Sequence, residues 1–175
     1  MIKTILVAAT LGITLGGCMS AASPVAIVSA STATSTATFA SMATSSNLLE
    51  IETSRLALNR SRDPHVKRLA QRMISDHTAA SRRMMAIIRS SGMQPPPAQL
   101  SSRHQAMVDE LTAASTGEFD AAYLAVQAQA HDEAITLFRA YSQMGDDPRL
   151  VAFARETTPK LERHAKHVQS VQGET

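Results

Sequence analysis

Three histidines and two glutamates are the side chains in this sequence best suited to hold a metal ion. His77, His131 and His164 each fall on or beside the apolar face of a predicted helix, and Glu50 and Glu52 lie on an earlier helix. Imidazole and carboxylate groups are ligands for zinc, iron, copper and manganese. These residue types therefore indicate a transition-metal site, provided that the fold brings them to the same height along neighbouring helices.

Helix geometry places four of these side chains at similar heights. At a rise of 1.5 Å per residue, Glu52 lies about 16 Å and His77 about 21 Å from the turn that joins the first two long helices. Counted from the turn before the last helix, His131 lies about 22 Å and His164 about 27 Å along. If both turns are at one end of a helical bundle, all four lie in its middle third. Glu52, His77, His131 and His164 are therefore the predicted metal ligands.

A buried polar network explains the same residues without a metal. Di-metal sites in ferritin-like bundles use two Glu-x-x-His motifs, and here the residues three positions before the histidines are Ile74, Ala128 and Leu161. The carboxylate-rich di-iron pattern is therefore absent. Buried histidines that are each hydrogen-bonded would fix the register of the helices. From the sequence we favour this interpretation and keep a mononuclear metal site as the alternative.

Glu50, Asp76, Asp120 and Tyr123 are the predicted members of that network. Asp120 and Tyr123 are spaced to share a helix face, while Asp76 points about 100° away from the adjacent His77. The local Ser-Asp-His sequence therefore cannot act as a hydrolase triad in place. The chain also has no nucleophile elbow and no glycine loop for phosphates. We predict no catalytic residue and favour a protein that is not an enzyme.

Amphipathic helices position these residues. Asp63-Pro64 and Asp147-Pro148 each indicate an Asp N-cap followed by Pro in the first turn, and apolar residues recur behind them at spacings of three and four. Short links make neighbouring helices antiparallel. The pattern predicts an all-α fold, an antiparallel four-helix bundle with an extra short helix between its two hairpins. The predicted helices span residues 42–62, 64–91, 101–115, 118–144 and 148–172.

Composition agrees with a helical fold and argues against a nucleic-acid partner. Aromatic residues make up 3% of the chain and Trp is absent, whereas a sheet core would favour aromatic and β-branched residues. The net charge is only +2, and no aromatic side chain stands beside the basic pair Arg82-Arg83 to stack on bases. We therefore predict no binding of nucleic acid.

The first residues of the chain are typical of an export signal. Lys3 precedes an apolar run at residues 5–15, which is too short for a membrane span of about twenty residues but fits the core of a secretory signal peptide. The following Leu-Gly-Gly-Cys ends at Cys18, the one cysteine of the chain, and resembles the lipobox of bacterial lipoproteins. We predict a signal peptide at 1–17 and lipidation of Cys18. An ordinary cleaved signal and a soluble periplasmic protein are the alternative.

The predicted anchor places the protein in the bacterial envelope. Met19, rather than Asp, follows the cysteine, which by resemblance to the sorting rule of lipoproteins indicates the periplasmic face of the outer membrane. Several acyl chains on Cys18 would hold it there. Residues 18–41 are rich in Ser, Thr and Ala and carry no charge, so we predict a flexible tether. The helical bundle is predicted at 42–172.

Five stretches of the sequence, taken together, carry a family resemblance. They are Asn47 to Leu58 with its two glutamates, Arg72-Met73-Ile74-Ser75-Asp76-His77, Phe119-Asp120-Ala121-Ala122-Tyr123, His131, and Thr158-Pro159-Lys160-Leu161 followed by His164. These stretches resemble the bacterial family called domain of unknown function 4142, over about residues 42–171. The resemblance implies a ferritin-like four-helix bundle with an extra short helix, often on exported proteins. It implies no activity.

Two functions are consistent with these features. The first is an exported lipoprotein whose bundle has a non-catalytic structural, stress-related or binding role in the envelope, without a cofactor. The second is a metal-binding or redox ferritin-like protein that uses the histidines and glutamates in the middle of the bundle, with a transition metal as its cofactor. The membrane is the predicted partner through the lipid anchor, and the sequence identifies no protein partner or small ligand.

Overall fold

The computed structural model describes residues 35–174, and within this range every regular element is a helix. The all-α fold class is therefore confirmed for this part of the chain. None of these helices is long and apolar enough to cross a membrane. The predicted signal peptide, Cys18 and most of the predicted tether lie outside the described residues. The helices are α1 (Thr36–Arg60), α2 (Pro64–Ser90), α3 (Ser102–Ala113), α4 (Phe119–Met144) and α5 (Pro148–Glu174).

Two Asp-Pro pairs begin helices as predicted. The Asp63 carboxylate accepts hydrogen bonds from the backbone N–H groups two and three residues further on, at 2.6 and 3.2 Å. Asp147 does the same at the start of α5, at 2.8 and 3.1 Å. These bonds satisfy N–H groups that have no partner within the helix. The two N-caps set the starting points of the helices that carry His77 and His164.

The first helix begins earlier than the sequence indicated. α1 starts at Thr36, inside the predicted tether, with the Ser35 hydroxyl accepting from the Thr38 N–H at 3.3 Å. Phe39 is fully buried and stacks on Tyr141 of α4, with the ring centroids 3.9 Å apart. α1 packs against α2, α3 and α4 and buries small residues on several sides. A helix surrounded in this way shows no single apolar stripe, which is why its first turns resemble a linker.

The four long helices each contact two others, in the cyclic order α1, α2, α5, α4, and α3 packs on α1 and α4. Two large apolar clusters fill much of the space between them, and a third, smaller one joins α1, α3 and α4. One large cluster joins the start of α1 to the end of α4 and includes Phe39, Phe138 and Phe153. The other large cluster joins the end of α1 to the start of α4 and includes Phe119 and Tyr123. Between these two clusters lies a layer of buried polar side chains. We call it the histidine layer, and it consists of Asn47, Glu50, His77, His131 and His164.

Candidate metal centre

Three helices each contribute one histidine to this layer. His77 of α2, His131 of α4 and His164 of α5 are buried, with exposed fractions of 3%, 0% and 5%. One ring nitrogen of each histidine lies within 4.8 Å of those of the other two. The ring centroids are 5.5 to 5.7 Å apart. The three imidazoles are therefore close enough to face a single ion.

One nitrogen of each ring is hydrogen-bonded to an oxygen. We call it the outer nitrogen and the other one the inner nitrogen. The bonds join His77 Nδ1 to Asn47 Oδ1 at 2.9 Å, His131 Nδ1 to the carbonyl of Gln127 at 2.8 Å, and His164 Nε2 to Asp76 Oδ2 at 2.8 Å. Because these oxygens accept, each outer nitrogen carries the ring hydrogen and the inner nitrogen carries the lone pair. Histidines that bind metals are oriented in this way, by an acceptor on the nitrogen that does not face the metal.

The inner atoms of the layer have no such partners. His77 Nε2, His131 Nε2 and His164 Nδ1 are buried and make no hydrogen bond within residues 35–174. The same is true of both carboxylate oxygens of Glu50, which is fully buried on α1. Glu50 Oε2 lies 3.3 Å from His77 Nε2 and 3.4 Å from His131 Nδ1. At these distances an ion pair would form only if the imidazoles were protonated, and neither contact is a hydrogen bond.

Burial keeps these groups close to neutral. It raises the pKa of Glu50 well above the ordinary value of 4.5. Burial, followed by the charges of His131, His164 and Lys160, lowers the pKa of His77 well below 6.5. Burial also lowers the pKa of His131 to about 4 and that of His164 in the same direction. At neutral pH the imidazoles therefore keep free lone pairs, which is the form that binds metals.

The carboxylate that lies beside the histidines is that of Glu50, whereas Glu52, the predicted ligand, does not lie there. Two residues along a helix turn the side chain through about 200°. Glu50 consequently faces the histidines, while Glu52 lies half-buried on another side of α1. The height estimate missed this because it used distance along the helix axis and not rotation around it.

The other predicted network residues lie around the layer in different roles. Asp76 orients His164 by accepting its Nε2 hydrogen. The Tyr123 hydroxyl bonds to the Ser54 hydroxyl at 3.0 Å, one turn of α1 beyond Glu50. Asp120 is half-buried, and its Oδ1 has no hydrogen-bond partner in the described part of the chain. The structure thus brings Glu50 and Asp76 to the histidines but leaves Tyr123 in the neighbouring apolar cluster.

Asn47 is a site residue that the sequence analysis did not single out for a role. It stands three residues before Glu50, so both side chains lie on the same face of α1. A buried Asn at this spacing from a buried Glu is the signal that could have found it. Gln127 could not have been found in that way, because it contributes its backbone carbonyl to His131.

Comparison with known proteins identifies the family. Residues 21–171 match the family model described as Domain of unknown function (DUF4142). The chain belongs to this family. The match confirms the resemblance and includes every residue of the histidine layer in the DUF4142 region. Among curated proteins, none matches this DUF4142 chain by sequence.

Three solved structures have a fold similar to that of this chain. A DUF305 fragment from Deinococcus radiodurans has a TM-score of 0.70 at 17% identity, covering 78% of this chain and 94% of its own. CopM in its Cu(II)-bound form has a TM-score of 0.66 at 19% identity, with coverage of 78% and 94%. A DUF305 protein from Streptomyces coelicolor has a TM-score of 0.66 at 13% identity, with coverage of 78% and 90%. At these identities the likeness is one of fold.

Proposed function

We propose that this DUF4142 protein binds one transition-metal ion through His77, His131, His164 and Glu50. The observation that carries the proposal is that three buried histidines bring one ligand atom each within 4.8 Å of the others, while one nitrogen of each ring and both oxygens of Glu50 have no hydrogen-bond partner within residues 35–174. Each buried polar group left unpaired costs about 1–3 kcal/mol. A cation at the centre of the layer would satisfy all of these groups at once.

A purely structural network is less consistent with these contacts. Native proteins hydrogen-bond nearly all of their buried polar atoms, and a network that fixes helix register would do so here. The outer nitrogens follow that rule and the inner atoms do not. We therefore prefer the metal-binding function, which the sequence alone placed second.

Copper(II) is the first candidate and zinc(II) the second. Three imidazoles and a carboxylate suit both ions, and copper(II) binds such sites more tightly. The similarly folded CopM has been solved in a Cu(II)-bound form, which supports the choice. Two ligands on opposite sides of an ion are about 4 Å apart, so side-chain movements of about 1 Å would bring the ring nitrogens into bonding range.

The fold that we propose around this ion is a ferritin-like antiparallel four-helix bundle, with α3 as the extra helix between the two hairpins. The cyclic order of helix contacts supports it. The start of α1 packs near the ends of α2 and α4, which supports antiparallel neighbours. The site differs from the di-iron centres of such bundles because it has one carboxylate and no Glu-x-x-His motif. It is suited to holding a single ion.

The cellular setting that we propose is the bacterial envelope. The apolar run at 5–15, the lipobox that ends at Cys18 and the Ser/Thr/Ala-rich segment after it support an exported lipoprotein. The bundle would then be tethered at the periplasmic face of the outer membrane, where it would hold or buffer the metal without catalysing a reaction. A Cys18→Ser variant that still incorporates a labelled fatty acid would overturn the anchor.

Metal stoichiometry tests the proposed function. The purified protein, dialysed against copper(II) or zinc(II), should retain one equivalent, and its melting temperature should rise because the ion binds only the folded state. His131→Ala should lose this equivalent. His104→Ala is the matched control, since His104 lies outside the layer and its ring is bonded to Ser45. Retention of less than about a tenth of an equivalent of either metal, without any thermal shift, would overturn the proposal.

A further inference from the structure

We infer that a small anion binds at the proposed metal, which it reaches through a cleft between α2 and α5; the inference rests on the proposed function. The cleft, of about 450 Å³, opens to solvent directly outside His164. We call it the basic cleft, and it is lined by Arg72, Asp76, Lys160, Arg163, His164 and His167.

The charges of the basic cleft favour anions. Arg72, Lys160 and Arg163 provide three positive charges, against the single carboxylate of Asp76. None of these three cations forms an ion pair with a carboxylate of residues 35–174, whereas Asp76 is already bonded to His164. A concave surface with unbalanced charge of one sign raises the local concentration of oppositely charged ligands by about 10- to 1,000-fold. The cleft is therefore a poor entrance for a free cation and a good one for an anion.

A second, smaller cavity shares residues with both the basic cleft and the histidine layer. Asp76, Lys160 and His164 border both spaces, and the inner cavity also reaches His77. The centre of a water molecule has about 10 Å³ in which to move there, which is close to the least that holds one water. A ligand in this cavity lies beside two of the three proposed histidine ligands.

The walls of the inner cavity limit the size of the anion. Phe138 and Leu161 border it, together with alanine side chains. These apolar groups leave no room for a phosphate ester or a peptide carboxylate to enter fully. The chemistry that fits is a small monovalent anion of which one atom lies in the inner cavity, while the rest of a linear anion such as azide extends toward the basic cleft.

The position of the inner cavity indicates an open coordination position. Metal sites that exchange ligands keep one coordination position for an outside ligand, and a tetragonal copper(II) ion has such a position beyond four protein ligands. His77 and His164 border the cavity, and Glu50 does not. An incoming anion would therefore displace water from the metal on the side that faces α5, with no electron transfer and no bond broken in the protein.

Azide titration of the copper(II)-loaded protein tests the inference. Azide bound to copper(II) produces a charge-transfer absorption band, which reports coordination directly. We expect a saturable band with one azide per copper, and retained copper is measured after filtration to show that azide has not removed it. Lys160→Glu should weaken azide binding about tenfold or more through the reversed charge, while one equivalent of copper still binds. Arg163→Glu, at an exposed position, is a second variant with the same expectation.

Lys166→Glu is the matched control because Lys166 lies on α5, outside the basic cleft. It should bind azide like the wild type. Equal azide affinity in the Lys160, Arg163 and Lys166 variants would overturn the basic cleft as the route. Copper bound without any azide band would overturn the anion inference and leave the proposed function standing. A protein that binds no copper would overturn both.

Discussion

Two groups of polar side chains that include histidine differ in how completely their polar atoms are paired. At the junction of α1, α3 and α4, His104 Nδ1 bonds to the Ser45 hydroxyl at 2.6 Å, and Nε2 lies 3.5 Å from Glu133 Oε2. Ser45 also accepts from the Ser101 N–H at 2.8 Å, and Glu133 pairs with Arg103 at 2.6 Å. We call this group the clasp. In the histidine layer, by contrast, only the outer nitrogens are bonded.

The difference separates a structural contact from a binding site. In the clasp, Ser45 donates to His104, and the ring in turn faces a carboxylate, so the pairing is complete without any added group. In the layer, the chain orients three imidazoles but leaves their lone pairs and Glu50 unpaired. Buried groups of this kind lower stability and concentrate at functional sites. The clasp is therefore the internal reference against which the layer can be tested.

The largest expected effect is the loss of a metal ligand. His131→Ala should weaken copper(II) binding by more than about 100-fold, because even changes to groups that only orient a ligand cost about 10- to 100-fold. Calorimetric titration measures the affinity. His104→Ala removes the histidine of the clasp and should bind copper like the wild type. An equal loss of copper affinity in both variants would show that the layer has no special part in metal binding.

A smaller effect is expected from the groups that orient the ligands. Asn47→Leu removes the acceptor of His77 Nδ1, so copper affinity should fall by about 10- to 100-fold. Ser45→Ala, which removes the corresponding partner of His104, should leave the affinity unchanged. Competition with a chromogenic chelator would measure both. Unaltered affinity in Asn47→Leu would remove Asn47 from the site.

Glu50 should reveal the stability cost of the metal-free layer. Glu50→Gln should stabilise the metal-free protein at pH 7, because an amide stays neutral without taking up a proton in the folded state, whereas each unit by which burial raises the pKa of the carboxyl costs about 1.4 kcal/mol. Burial raises the pKa of Glu50 above the value of 4.5 expected in the unfolded chain. The unfolded state therefore binds fewer protons above pH 4.5, and the stability of the wild type falls as pH rises through this range. The advantage of the variant should consequently vanish below about pH 4.5.

Urea unfolding at pH 7 and pH 4 measures this difference. The same substitution should weaken copper binding, so the metal-free protein gains stability while the metal-bound protein loses it. A variant that is less stable than the wild type at pH 7 without metal would mean that Glu50 is already well paired.

The smallest expected effect lies in the clasp. Ser45→Ala removes hydrogen bonds to His104 and to the Ser101 N–H, which should lower the free energy of unfolding by about 0.5–1.5 kcal/mol. The loss should be the same with and without copper, because the clasp has no part in metal binding. Thermal melts of both forms would check it, and a copper-dependent loss would link the clasp to the layer.

Local signals in the sequence predicted most of the fold. Asp63-Pro64 and Asp147-Pro148 predicted their helix starts to the residue, because a cap is a contact between near neighbours. The start of α1 was missed because its burial depends on other helices. Phe39 is the one large apolar side chain buried in its first turns, Met42 is half exposed, and the other side chains are small. Small residues packed on several sides look the same in sequence as those of a linker.

The sequence predicted how far along the helix axes the site residues lie. It did not predict which face of each helix they occupy or which hydrogen bonds they make. A fixed rise per residue brought His77, His131 and His164 to one level, whereas the choice between Glu50 and Glu52 depends on which face of α1 meets the histidines. That face is set by packing between helices, and so is the contact of Asn47 with His77. The inner lone pairs become visible only when all four helices are in place.

Pulsed electron paramagnetic resonance of the copper(II)-loaded protein tests the central claim most directly, because couplings to the remote imidazole nitrogens report how many histidines bind the ion. We predict couplings from three imidazoles, a reduced signal from imidazole in His131→Ala and an unchanged spectrum in His104→Ala. A wild-type spectrum without imidazole couplings, or one that His131→Ala leaves unchanged, would place the copper elsewhere and contradict the account.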